Sequence, residues 1–515
     1  MTQIIALIAL AVFSAILIAI GVITSGKAKT LDGFLLGGRN IGPWLSALSY
    51  GTTYFSAVIF IGYAGKHGWD IGMASLWIGV GNAVLGSALA WIMLAKKTRR
   101  MTHALSARTM PEFFAARYGD KKMKVYSALI IFIFLVPYAA SVYKGLGSLF
   151  GSIFPNDILG MSPETACMAI VALLAAVYLV LGGYFATAIN NLIQGIIMLA
   201  SVVIMCVALV NRPEVGGFTA AMEGLRQTDP SLVDLSGGSN ASFLLTNIAL
   251  TSFGVWGLPQ MIHKYYAIKD EKSIRQGAVI ATVFALVIGC GAYFAGSLGR
   301  FFIAADASGA PAVGYDNVVP EMLNKAFGSS FGGNILLSLI LLCVLSASIS
   351  TLTSVVLTSS SSITVDLAQV CGVKWDQRRQ MLSTRILCLL FIVLSFIFAT
   401  FRFAIIVSIM SYSWGIISGC FIGPYFWALY SKKTTRAGAW AGMISGIVTV
   451  AGLTLYSMFT GPEIENGFMA AFSAAGANSP LFGTIAMAVS FVIVPLVSAV
   501  TKKLPEEITA QAFGE

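Results

Sequence analysis

Apolar residues fall in long runs that carry almost no charge, separated by short polar stretches. A helix that crosses a bilayer needs about 20 mainly apolar residues and satisfies its own backbone hydrogen bonds. Thirteen segments meet that requirement, near 3–24, 43–65, 71–95, 124–146, 163–182, 187–210, 243–263, 277–300, 333–364, 382–400, 403–430, 435–459 and 482–501. The polar stretches between them reach only about 20–30 residues. None is a linker long enough to separate domains, so residues 1–515 read as a single membrane domain. The first run lacks a basic stretch before it and a small-residue cleavage site after it, which predicts a retained span rather than a leader.

Composition agrees with the pattern. Hydrophobic residues make up 57% of the chain and charged residues 10%, against about 25% charged in soluble domains. A net charge of +10 does not signal nucleic acid here, because the charges sit in short loops between apolar runs. Six of the seven cysteines (Cys167, Cys206, Cys290, Cys343, Cys388 and Cys420) lie inside apolar segments and read as small core residues, with Cys371 in a polar loop. With the N-terminus outside, 25 of 32 Lys and Arg residues fall on the cytoplasmic side. That bias fits an odd number of spans, with the N-terminus out and the C-terminus in. The inner set includes Lys29, Lys264 and Lys374; the outer set includes Arg402, and Lys144 ends a span on the outer side. A solvated role at the outer surface is expected for Lys144.

All 22 acidic residues fall in loops or at span ends. A proton-coupled carrier usually needs a titratable relay within the membrane, and no carboxylate is offered for one. His67 and His103 are expected in loops and His263 at the end of a span. Carrier sites are often built where spans are interrupted at corresponding positions of two repeats. In the second span a polar run, Ser49 to Ser56 around Gly51, sits mid-span. Five spans later come Gly254, Gly257 and Pro259, helix breakers within one segment. An odd offset of five turns the second copy over, so residues 43–210 and 243–430 read as an inverted pair. The alternative is that these small residues only let helices pack closely. In the ninth span Ala347, Ser350 and Thr351 share one helical face. Their oxygens, with carbonyls freed at a break, would suit a singly charged hard cation. The same spacing is also that of hydroxyls bonding back to their own helix.

Several segments resemble the sodium:solute symporter family, and most closely its bacterial sodium/proline members. They include Leu36-Gly-Gly-Arg-Asn-Ile-Gly-Pro-Trp44 with Ser46-Ala-Leu-Ser49, Pro137-Tyr-Ala-Ala-Ser141, Gly160-Met-Ser-Pro-Glu-Thr-Ala166 and Gly182-Gly-Tyr-Phe-Ala186. Further on come Gly257-Leu-Pro259, Ser350-Thr-Leu352, Ser362-Ile-Thr-Val-Asp366, Ser411-Tyr-Ser-Trp414 and Thr435-Arg-Ala-Gly-Ala-Trp-Ala-Gly-Met443. The resemblance implies an all-α LeuT-type 5+5 inverted repeat, preceded by one helix (3–24) and followed by two (435–501). It implies one sodium ion held by carbonyls of Thr52, Phe55 and Ala347 and hydroxyls of Ser350 and Thr351. Some members hold a second sodium with an aspartate on the fifth core helix. The motif places Asn191 there, with Thr353 and Ser354 still offering hydroxyls, so one functional sodium site is expected. The pocket for solute is expected among Tyr54, Ser56, Tyr138, Trp256 and Trp414. Proline carriers have an aspartate two residues before the serine that matches Ser56, where this chain has Tyr54. Val255 and Thr251 likewise replace aromatic residues before Gly257-Leu-Pro259.

The expected activity is sodium-driven symport of a small polar solute, an amino acid or a carboxylate, by alternating access across the plasma membrane. A proton-coupled carrier, a channel and a membrane-embedded enzyme are the competing classes. The last would need a nucleophile, acid–base group or metal cluster within the spans. Lipid and solute are the expected partners; a monomer suffices, and the oligomeric state stays open.

Overall fold

The computed structural model describes residues 2–28, 30–154, 156–158, 160–373, 375–401 and 404–514. Lys29, Lys374 and Arg402, counted in the charge bias, lie outside the described residues. The main helices are α1 (Thr2–Thr24), α2 (Pro43–Tyr54), α3 (Ala64–Ile71), α4 (Lys121–Ile153), α5 (Pro163–Val210) and α6 (Ala241–Phe253). They continue as α7 (Pro259–Tyr266), α8 (Glu271–Ser297), α9 (Phe331–Ser361), α10 (Gln377–Thr400), α11 (Ile406–Tyr430), α12 (Arg436–Thr460) and α13 (Ser479–Val500). Residues 76–104 form a further, nearly continuous helical run. Extended pairing among the described residues is limited to isolated bridges, such as Ile41 with Ile268.

Helices begin where polar residues cap them, since the first amides of a helix have no partner inside it. Asp120, Asp270, Ser330, Asp376 and Thr435 accept from backbone N–H groups in the first turns of α4, α8, α9, α10 and α12. The chain has 10 helices long and apolar enough to cross a membrane among the described residues, or up to 11 if the bent pair Gly238–Trp256 and Pro259–Tyr266 is one span. The thirteen expected segments differ from this tally in three places. The third segment and the end of the second run together in one helical stretch, Val58–Ala104, with α2 as a separate shorter helix before it. The fifth contributes the shorter apolar helix Pro163–Val177. The seventh is the bent pair. Gly183 separates the two halves of α5 with φ 57° and ψ −151°. Only glycine adopts that conformation without strain, and Phe34 packs where a side chain would project.

α2 lies at the centre, against α5, α7, α8 and α9, while α11 packs on α4. α1 rests on α5 and α9, and α12 and α13 pack together against α11. The peripheral helices keep an apolar exposed face. On α10, Leu382, Ile386, Leu389, Val393 and Ile397 are exposed and recur every three or four residues. A stripe of that kind suits lipid rather than water. Asp366 lies near the end of the long helical run Phe331–Val370, fully buried. It accepts from Thr109 at 2.9 Å and pairs with the Lys124 ammonium at 3.3 Å. This acid is at a span end, as expected, but has no contact with solvent.

Candidate ion and solute site

The site starts from the interruption after α2. Pro43 opens this helix, where a missing N–H costs nothing, and the last helical residue is Tyr54. Phe55 is extended (φ −100°, ψ 105°), and its N–H bonds to the Gly51 carbonyl at 3.1 Å. The Ser56 hydroxyl then accepts from the Val58 N–H at 3.2 Å and starts the next helical stretch. The break therefore falls at Phe55–Ser56, the far end of the polar run, and not at Gly51. Gly51 serves packing instead: a Cβ there would overlap the Phe284 ring.

Just before the break, the carbonyls of Thr52 and Thr53 turn to α9. The Ser350 hydroxyl lies 2.8 Å from the Thr52 carbonyl and 2.9 Å from that of Ala347. The Thr351 hydroxyl lies 3.0 Å from Ala347 O, 3.1 Å from Thr53 O and 3.4 Å from Thr52 O. Thr52, Ala347, Ser350 and Thr351 thus converge on one point, with Phe55 at the break beside them. All are fully buried. Each hydroxyl lies within hydrogen-bond distance of a carbonyl of its own helix and of a carbonyl of α2, so its single proton can go to either. Among the described residues no group of three or more His, Cys, Asp or Glu is placed to hold a metal. The donor set is neutral oxygen, and the C-terminal end of α2 points the negative pole of its helix dipole into it. That chemistry fits a monovalent hard cation and not a transition metal.

An aromatic cluster adjoins these oxygens. The Tyr54 ring stacks on Trp414 (centroids 6.3 Å apart), and Tyr138 meets Trp414 edge-on at 5.7 Å. The Tyr138 hydroxyl faces Ser56 and the Trp414 indole. The Tyr54 hydroxyl donates to Thr251 O at 2.7 Å, and the Thr251 hydroxyl donates to Asn82 Oδ1 at 2.8 Å. Tyr54, Ser56, Tyr138 and Trp414 are thereby brought together, each only 1% exposed, so the cluster is sealed from solvent. Trp256 is not among them: its Nε1 donates to Leu85 O at 3.1 Å and its ring meets Phe253 and Phe426. Within the 3-10 turn Gly254–Trp256 it is Gly254 that faces Trp414.

Three placements correct the sequence reading. His67 is not in a loop. The helix after the first break continues to Ile71, and buried His67 contacts Tyr63 O through Nδ1 at 2.9 Å. Lys144 does not extend into solvent; it pairs with Asp316 at 2.9 Å and donates to Ala404 O at 2.6 Å. Lys264 is not a loop charge. It is 2% exposed within α7, and its ammonium donates to the Ser354 hydroxyl at 2.8 Å. The signal was available: α7 begins only at Pro259, and five residues of helix rise only about 8 Å. Asn82 and Thr53 were also passed over. Asn82 is an isolated amide within an apolar span, which is the signal that would have found it.

Comparisons with known proteins follow the same lines. The family model for sodium:solute symporters matches residues 34–446. A sodium/proline symporter of Staphylococcus aureus is 31% identical over 457 residues, covering 86% of this chain and 84% of that one. The osmoregulated proline transporter OpuE of Bacillus subtilis is 27% identical over 449 residues, covering 86% and 87%. Among solved structures, a Na+-coupled sialic acid symporter in a substrate-bound outward-open state has a TM-score of 0.71 at 14% identity, with 97% and 98% of the two chains covered. A nucleobase-cation-symport-1 family transporter in a closed conformation has a TM-score of 0.52 at 14% identity. The family model spans well over half of the sequence, and the chain belongs to the sodium:solute symporter family.

Proposed function

We propose that the chain carries a small neutral, zwitterionic or anionic solute inward together with one sodium ion. Sodium is held by the carbonyls of Thr52, Phe55 and Ala347 and the hydroxyls of Ser350 and Thr351. The solute sits against Tyr54, Ser56, Tyr138 and Trp414. The observation that carries this reading is the pair of α9 hydroxyls meeting carbonyls of α2 just before its break. An ion there ties two helices together, and so orders the adjoining aromatic cluster for solute. Joint occupancy then permits rocking about the site, and low cytoplasmic sodium lets the ion leave. A potential of 100 mV adds about 2.3 kcal/mol per charge moved inward.

The frame proposed for this motion has thirteen spans, with residues 43–210 and 243–430 as inverted repeats, the N-terminus outside and the C-terminus inside. Proline transport by the relatives makes amino acids the first solutes to try. Tyr54 stands where proline carriers have an aspartate, which favours a solute other than proline itself.

The test is thermal stabilisation of the purified protein by sodium, screened against amino acids, monocarboxylates and polyols. Sodium, and not potassium, should raise the melting temperature, and the cognate solute should raise it further only with sodium present. Thr351→Ala removes one of five oxygens and should raise the sodium concentration at half-effect about tenfold. Unchanged sodium dependence in that variant would remove these residues from the site.

A further inference from the structure

Lys264 occupies a place that its sequence context conceals. Its ammonium is buried in α7 and donates to Ser354 Oγ at 2.8 Å. The Tyr184 ring face lies 5.2 Å away, and no carboxylate pairs with it among the described residues. Ser354 is four residues beyond Ser350 on α9, one helical turn from the proposed sodium donors, about 5–6 Å. The same Ser354 hydroxyl meets Thr53 Oγ1 at 2.9 Å and Ser350 O at 2.9 Å. Thr53 in turn lies four residues after Ser49 on α2, and Ser49 accepts from Asn191 Nδ2 at 3.1 Å. Asn191 Oδ1, buried, has no hydrogen-bond partner. Tyr184 and Asn191 are seven residues apart on α5, hence on one face of it. The lysine and the asparagine therefore belong to one buried polar cluster, between α2, α5, α7 and α9.

We infer that the Lys264 ammonium is a tethered cation that fills the position open to a second ion beside the sodium site, and so fixes the coupling at one sodium per cycle. The inference rests on the sodium donors proposed above. A bare charge is costly to bury unless it replaces another charge or is paired. Here the partners are neutral: a hydroxyl, an aromatic face and the nearby negative end of α2. These are the groups that would also receive a free monovalent ion. The ammonium carries the one charge this cluster accommodates, and Asn191 adds no carboxylate that would admit another.

Equilibrium binding of 22Na+ to the purified full chain in detergent, with potassium as the non-competing ion, tests this directly. The wild-type chain should bind one sodium with a Hill coefficient of one. Lys264→Gln, which removes the like charge a turn away, should lower the half-saturating sodium concentration about tenfold, whereas Lys264→Arg should stay within twofold of wild type. The double variant Lys264→Gln/Asn191→Asp should bind two sodium ions per chain, with a Hill coefficient above one. Two ions bound to the wild-type chain would overturn the inference, even if no variant folds. So would a Lys264→Gln half-saturation equal to wild type, or a monodisperse double variant that still binds one ion. A wild-type chain that binds no sodium would instead overturn the sodium site itself.

Discussion

The Tyr138 hydroxyl separates packing from recognition within one side chain. Its ring packs edge-on against Trp414, and that contact survives in phenylalanine. The hydroxyl faces Ser56 and the indole, which makes it available to a polar group of the solute. Tyr138→Phe should therefore leave sodium-dependent stabilisation intact. It should raise the half-saturating concentration of the cognate solute about tenfold, the cost of about one lost hydrogen bond. Sodium and solute titrations of the same preparation check both halves. A shift in sodium affinity with unchanged solute affinity would mean that Tyr138 supports the helix break and not the pocket. Trp256 makes the complementary case. With its indole bonded to Leu85 O, it should tolerate phenylalanine without any change in solute affinity.

At the scale of the element, the two interrupted helices differ in what made them legible. The bend of 43° between the halves ending at Trp256 and beginning at Pro259 follows from residues that cannot continue a helix, and the cluster of Gly254, Gly257 and Pro259 was visible as such. The first break carries no proline. Gly51 is the weakest helix former in its run, yet the helix passes through it because tertiary packing on Phe284 overrides propensity. The chain parts instead at Ser56, where a hydroxyl replaces a lost backbone bond. The same short half-helices explain why His67 and Lys264 were misplaced. A charged or polar residue just after an apolar run reads as a loop residue unless the run is known to have restarted. Close approach at the second break yields a prediction. A Cβ on Gly257 would fall 2.8 Å from Ser418 Cα and 3.0 Å from its carbonyl oxygen. Backbone cannot give way as a flexible side chain can. Gly257→Ala should thus cost about 1–3 kcal/mol, read as a lowered melting temperature, and should reduce uptake by holding α7 away from α11. A variant with wild-type melting temperature and uptake would show that α11 yields at this contact.

For the whole molecule, the apolar runs were enough to read an all-helical membrane protein, because length and charge content are properties of the solvent a helix faces. They were not enough to fix which way it faces, since basic residues at span ends are a statistical bias and not a contact. Cys371 provides a physical test. It is exposed, in the turn after the long helical run Phe331–Val370, whereas the other six cysteines are buried or only partly accessible within apolar helices. With the N-terminus outside and thirteen spans, the loop between α9 and α10 is cytoplasmic. A membrane-impermeant maleimide should then label the protein in inside-out vesicles and not in intact cells, and Cys371→Ser should abolish that labelling. Labelling from intact cells would turn the chain over. It would place the ammonium of Lys264 on the outer side of the proposed sodium donors, where the proposed orientation has it on the cytoplasmic side.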